Sequence, residues 1–391
     1  MLSRRFLPIV RTNKSAIPNV LTKSSENFVL SNTSSNSSLL NENPDKKFTM
    51  LTYNMLSPHY MWPQVYTYVP DQYKDWKYRH KLLEFELMQK YKADIMCLQE
   101  LTWEDYISYW KPKCNEKMNY GSKFVAKTPP AYWEKTKQEM DGEGIFFNQE
   151  KFEYISSTKL FLNDVVGTFE EHEIEYMKKK IVTLTDGAGK PTGTNNLFTV
   201  ATTRNQVCLF VSLRHKATNT VFVVINTHLY WKYDEVKLTQ CMIIMRKLSH
   251  IINELLIGSN AKIVDNSTIS KDVKIIFSGD LNSARDSLVI RFLKGKIINH
   301  GNLNMINPMK PYLNRSCYDD IPEGLFDNTC YSGKLKGIFD YVWYHDTDLQ
   351  IRKILTGVEV SQELARAHQF GLPNANHPSD HIPLLTEFEI L

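Results

Sequence analysis

Nine polar residues of this chain fall at the ends of apolar runs, and their types suit chemistry on a phosphate ester. Asn54 lies in LTYNML, Glu100 closes IMCLQE, Asp141 opens DGEGIFF and His228 sits in VINTHLY. Asp280 and Asn282 belong to IIFSGDLNS, Asp340 to GIFDYVW, and Asp380 and His381 to HPSDHIPL. Hydrolysing a phosphodiester requires a cation to neutralise the phosphate, an activated water, and hydrogen-bond donors for the pentacoordinate transition state. Carboxylates, imidazoles and amides at strand ends supply those functions, because a rigid scaffold there presents side chains to a cleft. Taken singly, each has an ordinary explanation. An Asp or Asn after a strand usually turns the chain or caps a helix, and a lone His on a strand usually packs. The ordered set is what points to catalysis.

The elements that must carry these residues begin at Lys47. Residues 48–54 read as a strand, 77–91 as a helix with Leu83, Leu87 and Tyr91 on one face, and 94–98 and 144–148 as buried strands. Residues 152–162, 207–215 and 220–227 continue the series. Residues 234–257 give the clearest helix, with Cys241, Ile244, Met245, Leu248, Ile251, Ile252 and Leu255 in a wide apolar stripe. Residues 273–278 read as a strand again, followed by a short helix near 286–293. Residues 338–344, 352–360 and 382–390 read as closing strands, and 185–196 as a surface loop by its Gly, Pro and Asn content. Many strands with interspersed helices predict an α/β fold, a sandwich of two packed sheets in one domain.

In order, TYNxL, LQE, NTHL, GDLN, DY and SDHxPL form a pattern similar to that of the endonuclease/exonuclease/phosphatase superfamily, whose fold is DNase I-like. The resemblance covers residues 47–391, and GDLN and SDH are its most specific parts. WKYRHKLLEFEL, ADIMCLQE, DGEGIFF and VKLTQ resemble the branch containing the poly(A) deadenylases, nocturnin and the angel-type nucleases. RNQVCLFVSL is especially similar to nocturnin. The resemblance implies a four-layer α/β sandwich and a Mg²⁺-dependent hydrolase, with Mn²⁺ able to substitute.

Glu100, beside Leu98 at a strand end, suits the first metal ligand, since Mg²⁺ prefers one or two carboxylates and retains several waters. Asn54 and Asp380 could complete the metal site directly, through water, or around a second ion. Asp280 is the candidate to orient and deprotonate the attacking water, and Asn282 to donate to a phosphoryl oxygen. His381 is expected at the scissile phosphate, with Asp340 holding its ring and keeping it cationic, which resembles the Asp–His dyad of the superfamily. His228 is expected as a further donor on the phosphate side.

A substrate cleft is expected along Asp141, Gly142, Arg204, Asn205, Tyr230, Trp231, Tyr233, Lys334 and Lys336. Aromatics beside cations suit a single-stranded RNA end. Two departures count against strict poly(A) specificity. Deadenylases of the branch carry WDP where this chain has Trp231, Lys232 and Tyr233, and an aromatic where it has Leu335. Trp62, Tyr66, Tyr68, Tyr73 and Trp76 form an aromatic-rich stretch that reads mainly as packing.

Composition fits such an enzyme. The 391 residues could hold one large or two ordinary domains, and 42% hydrophobic with 23% charged residues suits a soluble enzyme with a sizeable core. Net charge is only +4, so nucleic acid would need a local basic groove. No stretch reaches the ~20 apolar residues that span a bilayer. The six cysteines form no CxxC pair, which speaks against a disulfide framework or zinc site and for a reducing compartment. Residues 1–25 contain Arg4, Arg5, Arg11, Lys14 and Lys23 and no acid, the composition of a mitochondrial targeting segment; a disordered basic tail is the alternative. Residues 26–46 read as a polar disordered linker before the catalytic domain at 47–391.

The sequence thus predicts a mitochondrial, Mg²⁺-dependent 3′-to-5′ exonuclease of single-stranded RNA that releases nucleoside 5′-monophosphates. Two other readings stay open: a nocturnin-like dinucleotide 2′-phosphatase or 2′,5′-phosphodiesterase, and a non-catalytic RNA-binding scaffold. Protein partners are not indicated.

Overall fold

The computed structural model describes residues 4, 6–8, 43–130, 133–134, 136–258, 273–300, 303–319, 321, 324–333 and 335–391. One sheet contains β1 (Phe6–Pro8), β2 (Lys47–Asn54), β3 (Ile95–Thr102), β4 (Tyr120–Ala126), β5 (Asp141–Asn148), β18 (Leu349–Leu355) and β19 (Leu384–Ile390), in the order β1-β18-β19-β2-β3-β5-β4. The other contains β6 (Phe152–Phe161), β9 (Val207–His215), β10 (Thr220–His228), β11 (Val273–Asp280), β14 (Arg315–Ser316) and β17 (Asp340–Tyr344), in the order β14-β17-β11-β10-β9-β6. Three hairpins stand apart: β7 with β8 (Ile181–Thr185, Pro191–Asn196), β12 with β13 (Ile298–His300, Leu303–Met305), and β15 with β16 (Cys330–Tyr331, Lys336–Gly337).

The chemistry of each strand explains its place. β10 is a β-branched run buried along most of its length, as a central strand must be, whereas β6, at its sheet's edge, is buried only at Phe152 and Leu160. Phe48, Ile95, Ile145 and Phe222 meet in the largest core cluster, which also takes in the apolar stripe of the Asp234–Gly258 helix. Leu51, Tyr53 and Phe146, which alternate with that set along their strands, pack with Leu83 and Trp110 of the helical segments beside them.

Register delivers the polar residues to one place. β2 and β3 pair in parallel, and so do β10 and β11, so the C-terminal ends of each pair lie together. Asn54 falls opposite Gln99, His228 opposite Asp280, and Asp280 opposite Asp340, while an isolated bridge joins Cys330 to His381. A polar clamp holds the two sheets just below that edge. Asn226 Nδ2 donates to the carbonyls of Leu98 and Gly144, 2.9 Å each, and Gln99 Nε2 donates to Asn226 Oδ1 at 2.6 Å.

The fold class is as the sequence predicts; several local readings differ. Residues 352–360 are not one strand: β18 ends at Leu355 and a helix, Val358–Arg366, begins after Gly357. Val360 and Leu364, both buried, have the i, i+4 spacing of a helix, which the β-branched Val360 obscures. Residues 185–196 form a hairpin rather than a loop. Turn chemistry occupies only its tip, where Asp186 Oδ1 accepts from the amides of Ala188 and Lys190. The expected helix at 77–91 is an α-helix, Trp76–Phe85, continued by a π-turn that ends with Lys92 at φ 45°. Helices at Lys111–Met118 and Glu171–Lys179 are additional.

At the N-terminus, β1 pairs with β18 and Arg4 donates to the carbonyls of Thr356 and Leu355. Most of the expected targeting segment, and residues 26–42 of the expected linker, lie outside the described residues. Residues 43–46 do not belong to a disordered linker: Asn43 caps a 3₁₀ turn, Pro44–Lys46, that leads into β2. All six cysteines are buried and unpaired. No helix among the described residues is long and apolar enough to cross a membrane.

Gly279 of the GDLN motif secures the β10–β11 register. Its φ is 140°, and a Cβ there would stand 1.9 Å from the carbonyl oxygen of Thr227. Gly279→Ala should lower stability by roughly 3 kcal/mol, read as a reduced urea midpoint. An unchanged midpoint would mean that the strand pair has room to separate.

Candidate active site at the seam of the two sheets

Glu100 occupies a bulge. The pairing of β3 with β5 shifts between Leu98 and Leu101, and Glu100 takes a left-handed φ of 58° there. That conformation is costly for a residue with a Cβ, and here it aims the carboxylate into the seam. Oε1 accepts from Asn54 Nδ2 at 2.9 Å and Oε2 from the amide of Ser57 at 2.8 Å. Burial pushes the Glu100 carboxyl up to about 7, with the charges of Asp141 and Asp380 adding to the effect.

Asn54 reaches both sheets. Its Nδ2 also donates to Asp280 Oδ2 at 3.1 Å, while its Oδ1 accepts from the amide of Leu56 at 3.0 Å. An amide oxygen has two lone pairs, so this bond still leaves one that could face a cation. In this geometry Asn54 positions two carboxylates.

On the other sheet His381 Nδ1 lies 2.8 Å from Asp340 Oδ2, and its Nε2 lies 3.6 Å from Asp280 Oδ2. Burial alone would push His381 down, but Asp340, Cys330 and Asp280 together hold it well above its ordinary value. The ring is therefore cationic near neutral pH. Burial raises Asp280, opposed by His381 and reinforced by Asp340. His228 goes the other way: burial, then Lys127 and His381, push it well down. Asn282, at φ 47°, donates its amide N–H to Asp280 Oδ1, and its Nδ2 lies 2.9 Å from both Leu229 O and His228 Nε2. Both Nδ2 hydrogens are thereby occupied, so donation to a phosphoryl oxygen requires one of them to be released.

The remaining carboxylates are tied by residues that sequence reasoning missed or read otherwise. Asp380 Oδ2 accepts from the Tyr66 hydroxyl at 2.9 Å, and Asp141 accepts from Tyr60 at 2.7 Å and Lys127 at 2.5 Å. Tyr66 belongs to the aromatic stretch that reads mainly as packing, and Tyr60 lies just ahead of it. Arg79, fully buried in the WKYRH segment, donates to the carbonyls of Leu56 and Pro378, which fastens the loop after β2 to the loop carrying Asp380. A charged residue amid a helix's hydrophobic face was the available signal. Lys127 offered none.

The expected cleft residues divide. Arg204 stacks on Tyr230, 4.8 Å from ring centre to guanidinium, and Asn205 Nδ2 donates to Thr128 O at 2.6 Å. Tyr233 does not present its ring to a cleft: its hydroxyl accepts from the Thr185 amide and its ring packs on Tyr230 against the core. Lys336 lies over Phe370, and Lys334 lies outside the described residues. A cavity of about 310 Å³ opens beside Asn282 instead, lined by Trp231, Lys237, Leu335 and Phe339. A larger one, about 560 Å³, lies past Ala284 and contains none of the nine polar residues.

Cation capacity follows from charge. Asp280, Asp340 and His381 cluster closely enough to share an ion, as do Cys330, Asp380 and His381, but both groups already contain the cationic His381 ring. Uncompensated negative charge gathers instead at Glu100, near Asp141 and Asp380, where Lys127 is the opposing charge and is itself paired with Asp141. Glu100 therefore fits a divalent cation best.

Residues 51–381 match the Endonuclease/Exonuclease/phosphatase family. The chain belongs to that family. It is 58% identical over 391 residues to RNA exonuclease NGL1 of Saccharomyces cerevisiae, covering 100% of both chains. It is 30% identical over 355 residues to the CCR4-Not complex 3′-5′-exoribonuclease subunit Ccr4 of Candida albicans. That match covers 88% of this chain but 41% of the relative, so the chain spans about two fifths of its length. Among solved structures, ANGEL2, a 2′,3′-cyclic phosphatase, in complex with adenosine-2′,3′-vanadate superposes with a TM-score of 0.64 at 19% identity, over 88% of this chain and 96% of that one. The human Nocturnin catalytic domain with bound sulfate gives 0.55 at 18%, over 88% and 94%. These two likenesses concern the fold. Endonuclease/Exonuclease/phosphatase nucleases depend on divalent metal, and the carboxylates at this seam suit that requirement.

The raised Glu100 value fixes the sign of two pH effects. Its folded value of about 7 exceeds the ordinary 4.5, so its contribution to the cation-free fold is most favourable below about 4.5 and declines as pH rises toward 7. Cation binding needs the carboxylate and competes with the proton. Mg²⁺ affinity by calorimetry should therefore weaken about tenfold from about pH 8 to about pH 6, and Glu100→Gln should abolish binding. A pH-independent affinity would remove Glu100 as the principal ligand.

Proposed function

We propose that this chain is a Mg²⁺-dependent 3′-to-5′ exonuclease of single-stranded RNA, releasing nucleoside 5′-monophosphates. The observation that carries this reading is the convergence of Glu100, Asn54, Asp280, His228 and the His381–Asp340 pair on one seam. The whole-length likeness to a protein named RNA exonuclease supports the choice of substrate.

The residues at the reaction centre then divide the work. Glu100, with Asp380 nearby, would hold the cation, which would neutralise the phosphate and polarise it toward attack. Asp280 orients the attacking water and takes its proton; a raised carboxyl is a better base than an ordinary one. His381, kept cationic by Asp340, places its charge against the phosphoryl oxygens as negative charge builds there. Asn282 joins it by exchanging one of its present contacts for a phosphoryl oxygen. The scaffold reading would require a missing catalytic group, and the expected set is complete.

The terminal base enters the cavity beside Asn282, between Trp231 and Leu335. Both side chains are unusually exposed for their type, 47% and 44%. Trp231 thus takes the stacking role expected of Tyr233. Stacking is worth ~1–3 kcal/mol per base, so Trp231→Ala should raise KM on RNA by roughly one to two decades with kcat nearly unchanged. Single-stranded A, U and C oligomers should be degraded within about a decade of one another, because aliphatic Leu335 cannot stack on the face of the base opposite Trp231. A strong poly(A) preference would contradict that account. Release of phosphate from NADP⁺ by an enzyme inert toward RNA would establish the dinucleotide 2′-phosphatase reading instead.

We also propose that residues 1–25 direct the chain to mitochondria, on their acid-free, arginine-containing composition. Residues 1–43 fused to a fluorescent reporter should send it to mitochondria. A diffuse cytosolic signal would refute the assignment.

A further inference from the structure

Beneath the reaction centre lie buried polar groups that the chemistry above does not use. Glu143 is fully buried, and among the described residues neither of its carboxyl oxygens has a hydrogen-bond partner. His228 Nδ1 is buried and unpartnered in the same sense, and so is Gln99 Oε1. Buried polar atoms are nearly always hydrogen-bonded, so these four atoms on three residues require an account.

Strand geometry brackets Glu143. Asn226 on β10 donates to Leu98 O on β3 and Gly144 O on β5, which fixes the level at which the sheets face each other. Two residues further along β10 and β3 stand His228 and Glu100, with Nδ1 and Oε1 3.8 Å apart. β5 runs antiparallel to β3, so Glu143 comes one residue beyond Gly144 in that same direction. Side chains alternate along a strand, and Glu143 shares the face of Ile145, which is packed between the sheets. Its ionisable neighbours include Lys127, Asp141, Glu100 and Asp280, and His228 lies 3.8 Å from Glu100 and 3.5 Å from Asp280.

Donor and acceptor matching fixes the tautomer of His228. The carbonyl of Leu229 can only accept, so the Asn282 atom facing it is the amide nitrogen. That nitrogen also faces His228 Nε2, which must therefore accept. In the neutral ring the proton then sits on Nδ1, and Glu100 at 3.8 Å is too distant to receive it. Gln99 lies deeper, its amide nitrogen committed to Asn226 and Thr52. Glu143, one residue past Gly144 on the inward face of β5, is an unpartnered buried acid between the sheets.

We propose that Glu143 is a positioning residue whose carboxyl group receives, across one buried water, the hydrogen bond from His228 Nδ1, holding Nε2 toward Asn282 and the reaction centre. This rests on the assignment of His228 to the phosphate side of the site. Burial, then the charges of Asp141, Glu100 and Asp280 against that of Lys127, keeps Glu143 well above the usual carboxylate range. A neutral acid offers one accepting oxygen for the water and one hydroxyl, which supplies the donor that Gln99 Oε1 lacks. Glutamine offers the same pair of functions; methionine, of similar size, offers neither.

The test uses the full chain labelled with ¹⁵N-histidine, the His228 signals being assigned with His228→Gln. The wild-type ring should show the Nδ1–H tautomer, and Glu143→Gln should keep both that tautomer and most of kcat. Glu143→Met should shift His228 toward the Nε2–H tautomer and lower kcat on bis-p-nitrophenyl phosphate about 10- to 100-fold, with KM unchanged. Its melting temperature should not fall, since a buried acid has been replaced by an apolar group. An Nε2–H tautomer in the wild type would overturn the proposal even if the methionine variant does not fold. So would a methionine variant with wild-type kcat, or one whose His228 tautomer is unchanged, which would pass the role to Gln99. Inactivity of the wild type toward every ester would defeat the functional reading alone, because the tautomer is measured without turnover.

Discussion

The contact on which the site depends is the Asn54 amide, whose nitrogen donates to Glu100 on its own sheet and Asp280 on the other. Two carboxylates brought together in a buried layer repel, and the repulsion grows as water is excluded. An amide NH₂ carries two hydrogens at a fixed angle and no charge, so it satisfies both acids while setting their separation. An aspartate in its place would add a third negative charge, and a lysine would neutralise the site and compete with a cation. The Leu56 amide, donating to Asn54 Oδ1, fixes which way the side chain is turned. The β3 bulge, the Ser57 amide and the β2–β3 register all serve to hold Glu100 where that single nitrogen can reach it.

From there the charges sort into two sides. His381 and Asp340 form a closed pair in which the ring remains protonated, and Lys127 and Asp141 form a second. Each pair is buried, so neither partner could be removed without leaving an uncompensated charge. Glu100 has no such partner, only neutral donors. The site thus combines fixed positive charge beside Asp280 with negative charge at Glu100 that an exchangeable cation can offset. In the proposed reaction, that asymmetry would separate the group that takes the proton from the group that holds the metal.

The sequence displayed the strand-end residues because register, the determinant of their convergence, is carried by apolar runs visible in any single strand. VFVVINTH and VKIIFSGD align His228 with Asp280 as a consequence of where each run stops. What was not legible depends on contacts between distant segments. The bulge at Glu100 arises from pairing with β5, and nothing in IMCLQE announces a left-handed residue. Tyr60, Tyr66 and Lys127 sit in segments whose composition reads as packing or surface, and their roles appear only when Asp141 and Asp380 are placed beside them. Tyr233 was misjudged for the same reason: the hairpin that claims its hydroxyl reads as a loop until Ile181–Thr185 is paired with Pro191–Asn196.

The aromatic segment after β2 links these observations. Tyr60 and Tyr66 are packed among neighbouring aromatics, yet each delivers its hydroxyl to a carboxylate of the site. Arg79 fastens the start of that segment to the loop carrying Asp380 by donating to Leu56 O and Pro378 O. Changes in charge at Asp141 or Asp380 are therefore felt by the loop, because a tyrosine hydroxyl donates more strongly to a carboxylate than to a carboxylic acid or to a carboxylate shared with a cation. Tyr60 and Tyr66 reach the carboxylates on one side of the site, whereas Trp231 and Leu335 line the cavity beside Asn282. The two sides are not independent: Tyr68 of the same aromatic segment accepts from the Gly333 amide at 2.9 Å, and the Tyr331 amide donates to Asp380 O at 2.7 Å, so the hairpin that carries Leu335 is fastened to the segment that ties the carboxylates.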